Sequence, residues 1–180
     1  IHIVSKKSYQ AHCVLGGKAY SLYHKNRLPL ALLVNVLGGP ALNSRLNLIL
    51  REKHALVYTV DASYTPFSDT GLFTVYFGTD KANLEKSLAL ITKELNTIKE
   101  RGLSQLQLKA AKKQLAGQLA ISTDNAESQC LNIGKSLLVF KKVEPMEEVM
   151  KKINAITSDQ IKEVACEIFT DDNLITLIYK

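Results

Sequence analysis

The first half of the chain alternates between apolar patterns typical of strands and apolar patterns typical of helices. Residues 10–17 alternate in polarity and are rich in β-forming side chains, which predicts a strand. Apolar residues fill positions 27–37 and recur at helical spacing over 42–53, which predicts two consecutive helices. Residues 56–64 and 72–79 have the composition of strands, and the turn-forming residues between them predict an antiparallel hairpin.

Apolar stripes at helical spacing dominate the second half of the chain. About five helices are predicted there, over residues 80–102, from 104 onward, over 126–140, over 145–154 and over 157–169. Asp80 is predicted to cap the first of them, and the S/T-x-x-Q sequences that begin at Ser104 and Thr157 match the capping box. The composition of residues 173–179 predicts a closing strand.

Strands and helices are therefore segregated along the chain. This segregation predicts an α+β fold, with a mainly antiparallel sheet and helices packed on one of its faces. A length of 180 residues fits one domain of ordinary size, and we expect residues 9–180 to form it. Because the sequence begins with Ile1 rather than methionine, we expect it to be a piece of a longer chain, with residues 1–8 as a linker from a missing N-terminal part.

Composition and charge exclude several classes of function. The net charge is +6, but the lysines are spread along the chain without a run of like charges, so nucleic-acid binding is not predicted. No apolar run reaches about 18 residues, the length that a membrane-spanning helix requires. Cys13, Cys130 and Cys166 are far apart and odd in number, which indicates free thiols rather than a disulfide framework or a zinc knuckle.

The sequence contains no complete catalytic motif. It lacks H-E-x-x-H and H-x-x-E-H, and its four histidines offer no set of three ligands for catalytic zinc. His12, on a predicted strand, fits a surface or core role better than a metal-binding role. Arg51 and Tyr58 lie seven positions apart, where a predicted helix gives way to a strand. Taken alone, they are more simply explained as one charge of a helix end and a half-buried strand aromatic.

Three consecutive blocks of sequence change this interpretation. G-G-P-A-L-N-S-R-L, R-E-K-H-A-L-V-Y and G-L-F-T-V-Y-F-G-T follow one another, and together they resemble the pitrilysin and mitochondrial-processing-peptidase family of zinc proteases. More narrowly, the chain looks like the C-terminal half of the shorter bacterial members. The resemblance covers nearly the whole chain, including the early strand Q-A-H-C-V-L-G and the late helix I-T-S-D-Q-I-K-E-V-A.

The resemblance implies one half of a two-half protease. In that family the N-terminal half carries H-x-x-E-H and a distal glutamate, which hold zinc and supply the general base. The C-terminal half lacks these ligands and keeps an arginine and a tyrosine seven positions apart, which Arg51 and Tyr58 match. The resemblance therefore implies that no metal is bound by this chain and that zinc lies in the missing N-terminal half.

The resemblance also implies roles for this pair. The chain is expected to be the substrate-binding, non-catalytic C-terminal domain of a zinc metalloendopeptidase, closing a peptide chamber over the zinc site and inactive when alone. Tyr58 would donate a hydrogen bond to the scissile carbonyl oxygen in trans to the zinc half, and Arg51 would bind a substrate backbone carbonyl. The expected partners are the N-terminal zinc-binding half, in the same parent chain or as a separate subunit, and peptide substrates. A homodimer is left open.

The sequence leaves alternatives open. Some relatives in respiratory complexes have lost protease activity, so a proteolytically inactive scaffold or partner subunit of the same family is the alternative function. A basic binding module is a weaker one, and the compartment, cytoplasm or periplasm, is not determined. Ala55 stands where many relatives have glycine, and alanine is strained there if the position requires a positive φ.

Overall fold

The computed structural model describes residues 1–5, 8–123 and 125–180. Its strands, in chain order, are β1 (His2–Val4), β2 (Gln10–Ala19), β3 (Val57–Pro66), β4 (Gly71–Asp80) and β5 (Ile175–Tyr179). Its α-helices are α1 (Arg27–Gly38), α2 (Leu84–Arg101), α3 (Gln105–Thr123), α4 (Ala126–Phe140), α5 (Met146–Ala155) and α6 (Ser158–Ile168). A π-helix (Asn47–Lys53) precedes β3, and a 3₁₀ turn (Lys81–Asn83) precedes α2.

One sheet joins the strands in the order β1-β5-β2-β4-β3. The pair β1–β5 is parallel and the other described pairs are antiparallel. The predicted hairpin is present as β3 and β4, with Pro66 opposite Gly71 beside the turn. The prediction of an α+β fold with a mainly antiparallel sheet is therefore confirmed.

The helices cover one face of this sheet. Along β2, Ala11, Cys13 and Leu15 are buried, whereas His12 and Val14 between them are half-buried. Successive residues of a strand point to opposite faces, so this alternation marks a covered face and an open face. The core under the covered face contains large side chains from strands and helices, among them Phe73, Phe77, Leu30, Leu33, Ile91, Ile98 and Phe169. Full burial of each such side chain contributes about 1.5–3 kcal/mol to stability.

The two capping boxes form as the sequence predicts. The backbone N–H of Gln107 donates to Ser104 Oγ at 3.3 Å, and the N–H of Ser104 donates to Gln107 Oε1 at 2.9 Å. The N–H of Gln160 likewise donates to Thr157 Oγ1 at 3.2 Å, with the reciprocal bond at 2.9 Å. These bonds satisfy backbone donors that the first turn of α3 or α6 leaves unpaired.

Three local predictions differ from the structure. The helix predicted over 42–53 begins at residue 45 and is mostly a π-helix. The prediction that Asp80 caps a helix is wrong, because its side chain makes no capping hydrogen bond and accepts one from Tyr58 instead. Within the predicted connecting segment 1–8, His2–Val4 pairs with β5, so this part belongs to the sheet. Lys6 and Lys7 of that segment lie outside the described residues.

Candidate functional site

The π-helix places Arg51 just before the start of β3. A π-helix has wider turns than an α-helix and is found mostly as short stretches, frequently at functional sites. Just before it, Arg45 Nη1 lies 2.6 Å from Glu94 Oε1 of α2, and both side chains are largely shielded from solvent. This ion pair fixes the start of the segment on the helical layer. Arg51 itself is half-exposed, and its Nε lies 3.9 Å from the carboxylate of the neighbouring Glu52.

The connection from the π-helix to β3 turns through Ala55. This residue has φ 48°, in the left-handed region. The N–H of Leu56 donates to the carbonyl of Leu50 at 2.8 Å, and the N–H of Ala55 donates to the carbonyl of Arg51 at 3.1 Å. These bonds close the C-terminus of the π-helix in the manner of a left-handed cap. The position therefore requires the positive φ that alanine tolerates poorly.

A β-bulge turns Tyr58 outward. Val57 pairs with Thr79 and Thr59 pairs with Gly78, so Tyr58 is an extra residue without a partner across the ladder. A bulge of this kind redirects side chains next to active sites in many sheets. Here Val57 stays buried, while both Tyr58 and Thr59 are exposed. The Tyr58 side chain is thus 53% exposed at the end of the hairpin that follows Arg51.

Arg51 and Tyr58 line the same cleft. It has a volume of about 390 Å³, and its wall also includes residues 38–42 and 59–62. The end of α1 lies close enough to β3 that a Cβ on Gly38 would come within 2.5 Å of the backbone nitrogen of Ala62. Only glycine permits this approach, which closes one side of the cleft. The structure therefore brings together the two residues that the sequence predicts as a pair.

The hydroxyl of Tyr58 has a partner within the domain. It donates to Asp80 Oδ1 at 2.8 Å, across the bulge from β4. This hydrogen bond, with smaller effects of desolvation and of the negative charge of Asp80, raises the pKa of Tyr58 above its usual value. On the same wall of the cleft, burial raises the pKa of Asp61. Sequence reasoning missed Asp80 as the partner of Tyr58, because its position before a helix indicates a cap.

A second polar group lies beside the bulge on the open face of the sheet. His12 Nδ1 is 2.9 Å from the hydroxyl of Tyr76. His12, Gly78 and Thr59 form one row across three strands. A Cβ on Gly78 would meet Thr59 Oγ1, the Tyr76 hydroxyl and His12 Nδ1 at 3.4–3.8 Å, so this row has a small gap lined by polar atoms. His12 therefore takes part in a hydrogen bond next to the candidate site.

The described part of the chain contains no group of three or more His, Cys, Asp or Glu side chains that could hold a metal ion. A catalytic zinc ion requires about three protein ligands and an open position, so these residues do not fit one. Among the described helices, none is long and apolar enough to cross a membrane.

Comparison with known proteins finds relatives across nearly the whole chain. A family model described as the peptidase M16 inactive domain matches residues 1–115. The uncharacterized zinc protease YmxG of Bacillus subtilis (strain 168) is 32% identical over 173 residues, covering 96% of this chain and 42% of that protein. The chain thus spans less than half the length of this relative.

Solved structures share the fold. The peptidase M16 inactive domain from Pseudomonas fluorescens has a TM-score of 0.87 at 22% identity, over 99% of this chain and 42% of that chain. A chain of complex III2 from Candida albicans, with Inz-5 bound, has a TM-score of 0.83 at 19% identity, over 98% of this chain and 45% of that chain. These structural likenesses concern the fold alone. With the family model covering more than half of its length, the chain belongs to the peptidase M16 family, as a member of its inactive-domain class.

Proposed function

We propose that this chain is the substrate-binding half of a two-half zinc peptidase, in which Arg51 and Tyr58 contact the peptide. The observation that carries the proposal is the cleft that they share at the start of β3, where both side chains are about half-exposed. The family is one of zinc proteases, but the described residues of this domain offer no metal-binding group. The metal would then be held by another part of the protein, and the cleft would face it across a peptide chamber.

Arg51 is suited to bind the backbone of a peptide. Within the described part of the chain, Arg51 forms one ion pair, at 3.9 Å with the exposed carboxylate of Glu52, which is too long and too well solvated to hold the side chain firmly. A guanidinium group presents five N–H donors in a planar fork, which suits carbonyl and carboxylate oxygens. Arg51 would therefore fix the register of an extended substrate at little cost in broken contacts.

Tyr58 is suited to donate a hydrogen bond to the reacting carbonyl oxygen. A tyrosine hydroxyl has an ordinary pKa of about 10, so it is protonated, and hence a donor, at neutral pH. When bound in the other half, zinc would act as a Lewis acid toward the same oxygen. To reach this oxygen, the Tyr58 hydroxyl has to break its hydrogen bond to Asp80 and donate to the carbonyl oxygen instead. An oxygen that is gaining negative charge accepts a stronger hydrogen bond than a neutral carbonyl, so the exchange favours the transition state over the ground state.

The test is hydrolysis of an internally quenched peptide by the complete two-half protein, with and without a chelator. Tyr58→Phe removes only the hydroxyl, and we expect kcat/KM to fall about 100-fold, or about 3 kcal/mol, as when one oxyanion donor is lost. Arg51→Ala is expected to raise KM more than it lowers kcat. Tyr9→Phe is the matched control, because Tyr9 is fully exposed and lies outside the cleft.

The outcomes separate the two candidate functions. Chelator-sensitive cleavage that Tyr58→Phe leaves unchanged would refute the role proposed for Tyr58. A complete protein without chelator-sensitive cleavage would favour the inactive scaffold, the alternative for which the fold likeness to a complex III chain is the supporting observation. This domain produced alone is expected to be inactive in the same assay.

A further inference from the structure

Helix α4 has an unusual distribution of apolar residues. Of its fifteen residues, two are charged (Glu127 and Lys135) and four are polar but uncharged, while most of the others are apolar and include three leucines and Ile133. Yet no residue of α4 is buried, and Leu131 and Leu138 are 57% and 74% exposed. The apolar side of an amphipathic helix normally packs against other apolar side chains. The domain by itself therefore leaves α4 without the packing that its sequence requires.

A groove runs beside α4. Its volume is about 750 Å³, and its walls are formed by the end of α3, most of α4 and the start of α5. Apolar side chains make up most of the lining, including Leu119, Ile133, Val139, Phe140, Met146 and Val149. An apolar depression of this size, which includes the exposed Ile133 of α4, is typical of a surface that another protein segment covers.

One end of the groove is positively charged. Arg27 lies over the ring of Phe140, 4.8 Å from its centroid. Glu144 accepts a hydrogen bond from Lys152 and lies 3.8 Å from Lys142, so one carboxylate faces three cations among the residues described there. Lys152 is the main cause that lowers the pKa of Glu144. The surplus of positive charge suits a partner segment that carries carboxylates next to its apolar side chains.

We propose that α4 and this groove are the surface on which the other half of the protein packs, through an apolar segment flanked by Asp or Glu side chains. The length of the relatives supports this occupant, because the chain covers only 42% of the Bacillus protein and 42% of the Pseudomonas chain. A second copy of this domain is a poorer occupant, since two chains that each carry a net charge of +6 repel one another.

The location of the groove agrees with this occupant. The groove begins near Arg27, at the N-terminus of α1, whereas the Tyr58 cleft includes Gly38, at its C-terminus. A helix of 12 residues separates the two, and it spans about 18 Å. A domain packed on α4 would leave the cleft accessible to a peptide. This docking surface depends on the proposed function in one respect only, namely that the protein has a second half.

Two exposed cysteines provide the test. Cys130 lies on α4, and Cys166 lies on α6, where its sulfur faces the carbonyl of Lys99. In the complete protein, a maleimide reagent followed by peptide mass spectrometry gives the alkylation rate of each thiol. We expect Cys130 to react at least about tenfold more slowly than Cys166, because packing excludes the reagent. In Ile133→Glu, whose side chain lines the groove and is 39% exposed in the domain, Cys130 should become as reactive as Cys166.

Leu106→Glu is the matched control, because Leu106 is 81% exposed on α3 and does not line the groove. It should leave Cys130 protected. Equal rates for the two thiols in the unmodified complete protein would overturn the proposal, as would protection of Cys130 that disappears on dilution, which would indicate a second copy. Tyr58→Phe should keep Cys130 protected even if it abolishes cleavage, so failure of the proposed function and failure of this proposal are distinguishable.

Discussion

Ala55→Gly tests the turn that joins the helix of Arg51 to the strand of Tyr58. Ala55 has φ 48°, and its Cβ is strained in this conformation. The left-handed conformation costs an L-residue about 1–2 kcal/mol. Glycine avoids this cost but loses about 0.5–1 kcal/mol more backbone entropy on folding. The difference predicts that Ala55→Gly raises the free energy of unfolding by about 0.5–1 kcal/mol.

Urea denaturation followed by circular dichroism measures this change. The midpoint should rise while the slope of the unfolding free energy against urea stays constant. For a domain of this size, about 1 kcal/mol corresponds to an increase in Tm of about 2–4 °C. The substitution adds no contact and removes only one methyl group, so packing contributes little to the expected change.

Ala89→Gly is the control of opposite sign. Ala89 is exposed within α2, where φ is helical and glycine costs about 1 kcal/mol relative to alanine. The same chemical change should therefore stabilise the domain at residue 55 and destabilise it at residue 89. If Ala55→Gly destabilised the domain as Ala89→Gly does, residue 55 would not be left-handed and the proposed cap of the π-helix would be wrong.

Further substitutions and a titration test the surroundings of the cleft. Glu94→Gln leaves the shielded Arg45 without its ionic partner and should cost about 1–3 kcal/mol of unfolding free energy, measured by urea denaturation. Gly38→Ala should cost about 1–3 kcal/mol, because its Cβ would lie 2.5 Å from the backbone nitrogen of Ala62. Burial raises the pKa of Cys13 from 9.0 to about 11. The folded state keeps this proton where the unfolded state releases it, so the unfolding free energy should fall as pH rises from 9.0 toward 11.

Each of these predictions has a contrary result. An unchanged urea midpoint in Glu94→Gln would show that the ion pair does not hold the π-helix in place. Gly38→Ala of wild-type stability would mean that α1 and β3 are further apart than described. Cys13→Ser should remove its share of the alkaline loss of stability, so an identical pH profile in that variant would assign the loss to other groups.

The sequence predicts elements whose signals are local. The apolar run of α1, the hairpin and the capping boxes at Ser104 and Thr157 each depend on residues a few positions apart, and the structure contains all of them. The pairing of Arg51 with Tyr58 is predicted only through the family resemblance, because local chemistry favours two unrelated roles, a charge at a helix end and a half-buried strand aromatic. The family and the α+β fold class are confirmed, whereas the roles of these two residues stay predictions.

The features that the sequence does not predict depend on partners distant along the chain. The bulge at Tyr58 is defined by the register of β3 against β4, and periodicity within one strand does not reveal it. In a π-helix each backbone hydrogen bond spans one residue more than in an α-helix. Over a short segment this difference barely alters the spacing of apolar residues, so the sequence pattern does not reveal it. Asp80 is a residue type that often caps helices and it precedes one here, but its carboxylate accepts a hydrogen bond from the Tyr58 hydroxyl instead.

The pairing of β1 with β5 has a consequence for how the domain is assembled. His2 lies opposite Leu177, and the N–H of Lys180 donates to the carbonyl of Val4 at 3.1 Å. The first described strand therefore depends on the last one, across almost the whole sequence. Contacts between residues so far apart in sequence carry a large entropic cost of loop closure, which slows folding. During synthesis β1 stays unpaired until β5 leaves the ribosome, so the edge of this sheet is completed by the final residues of the domain.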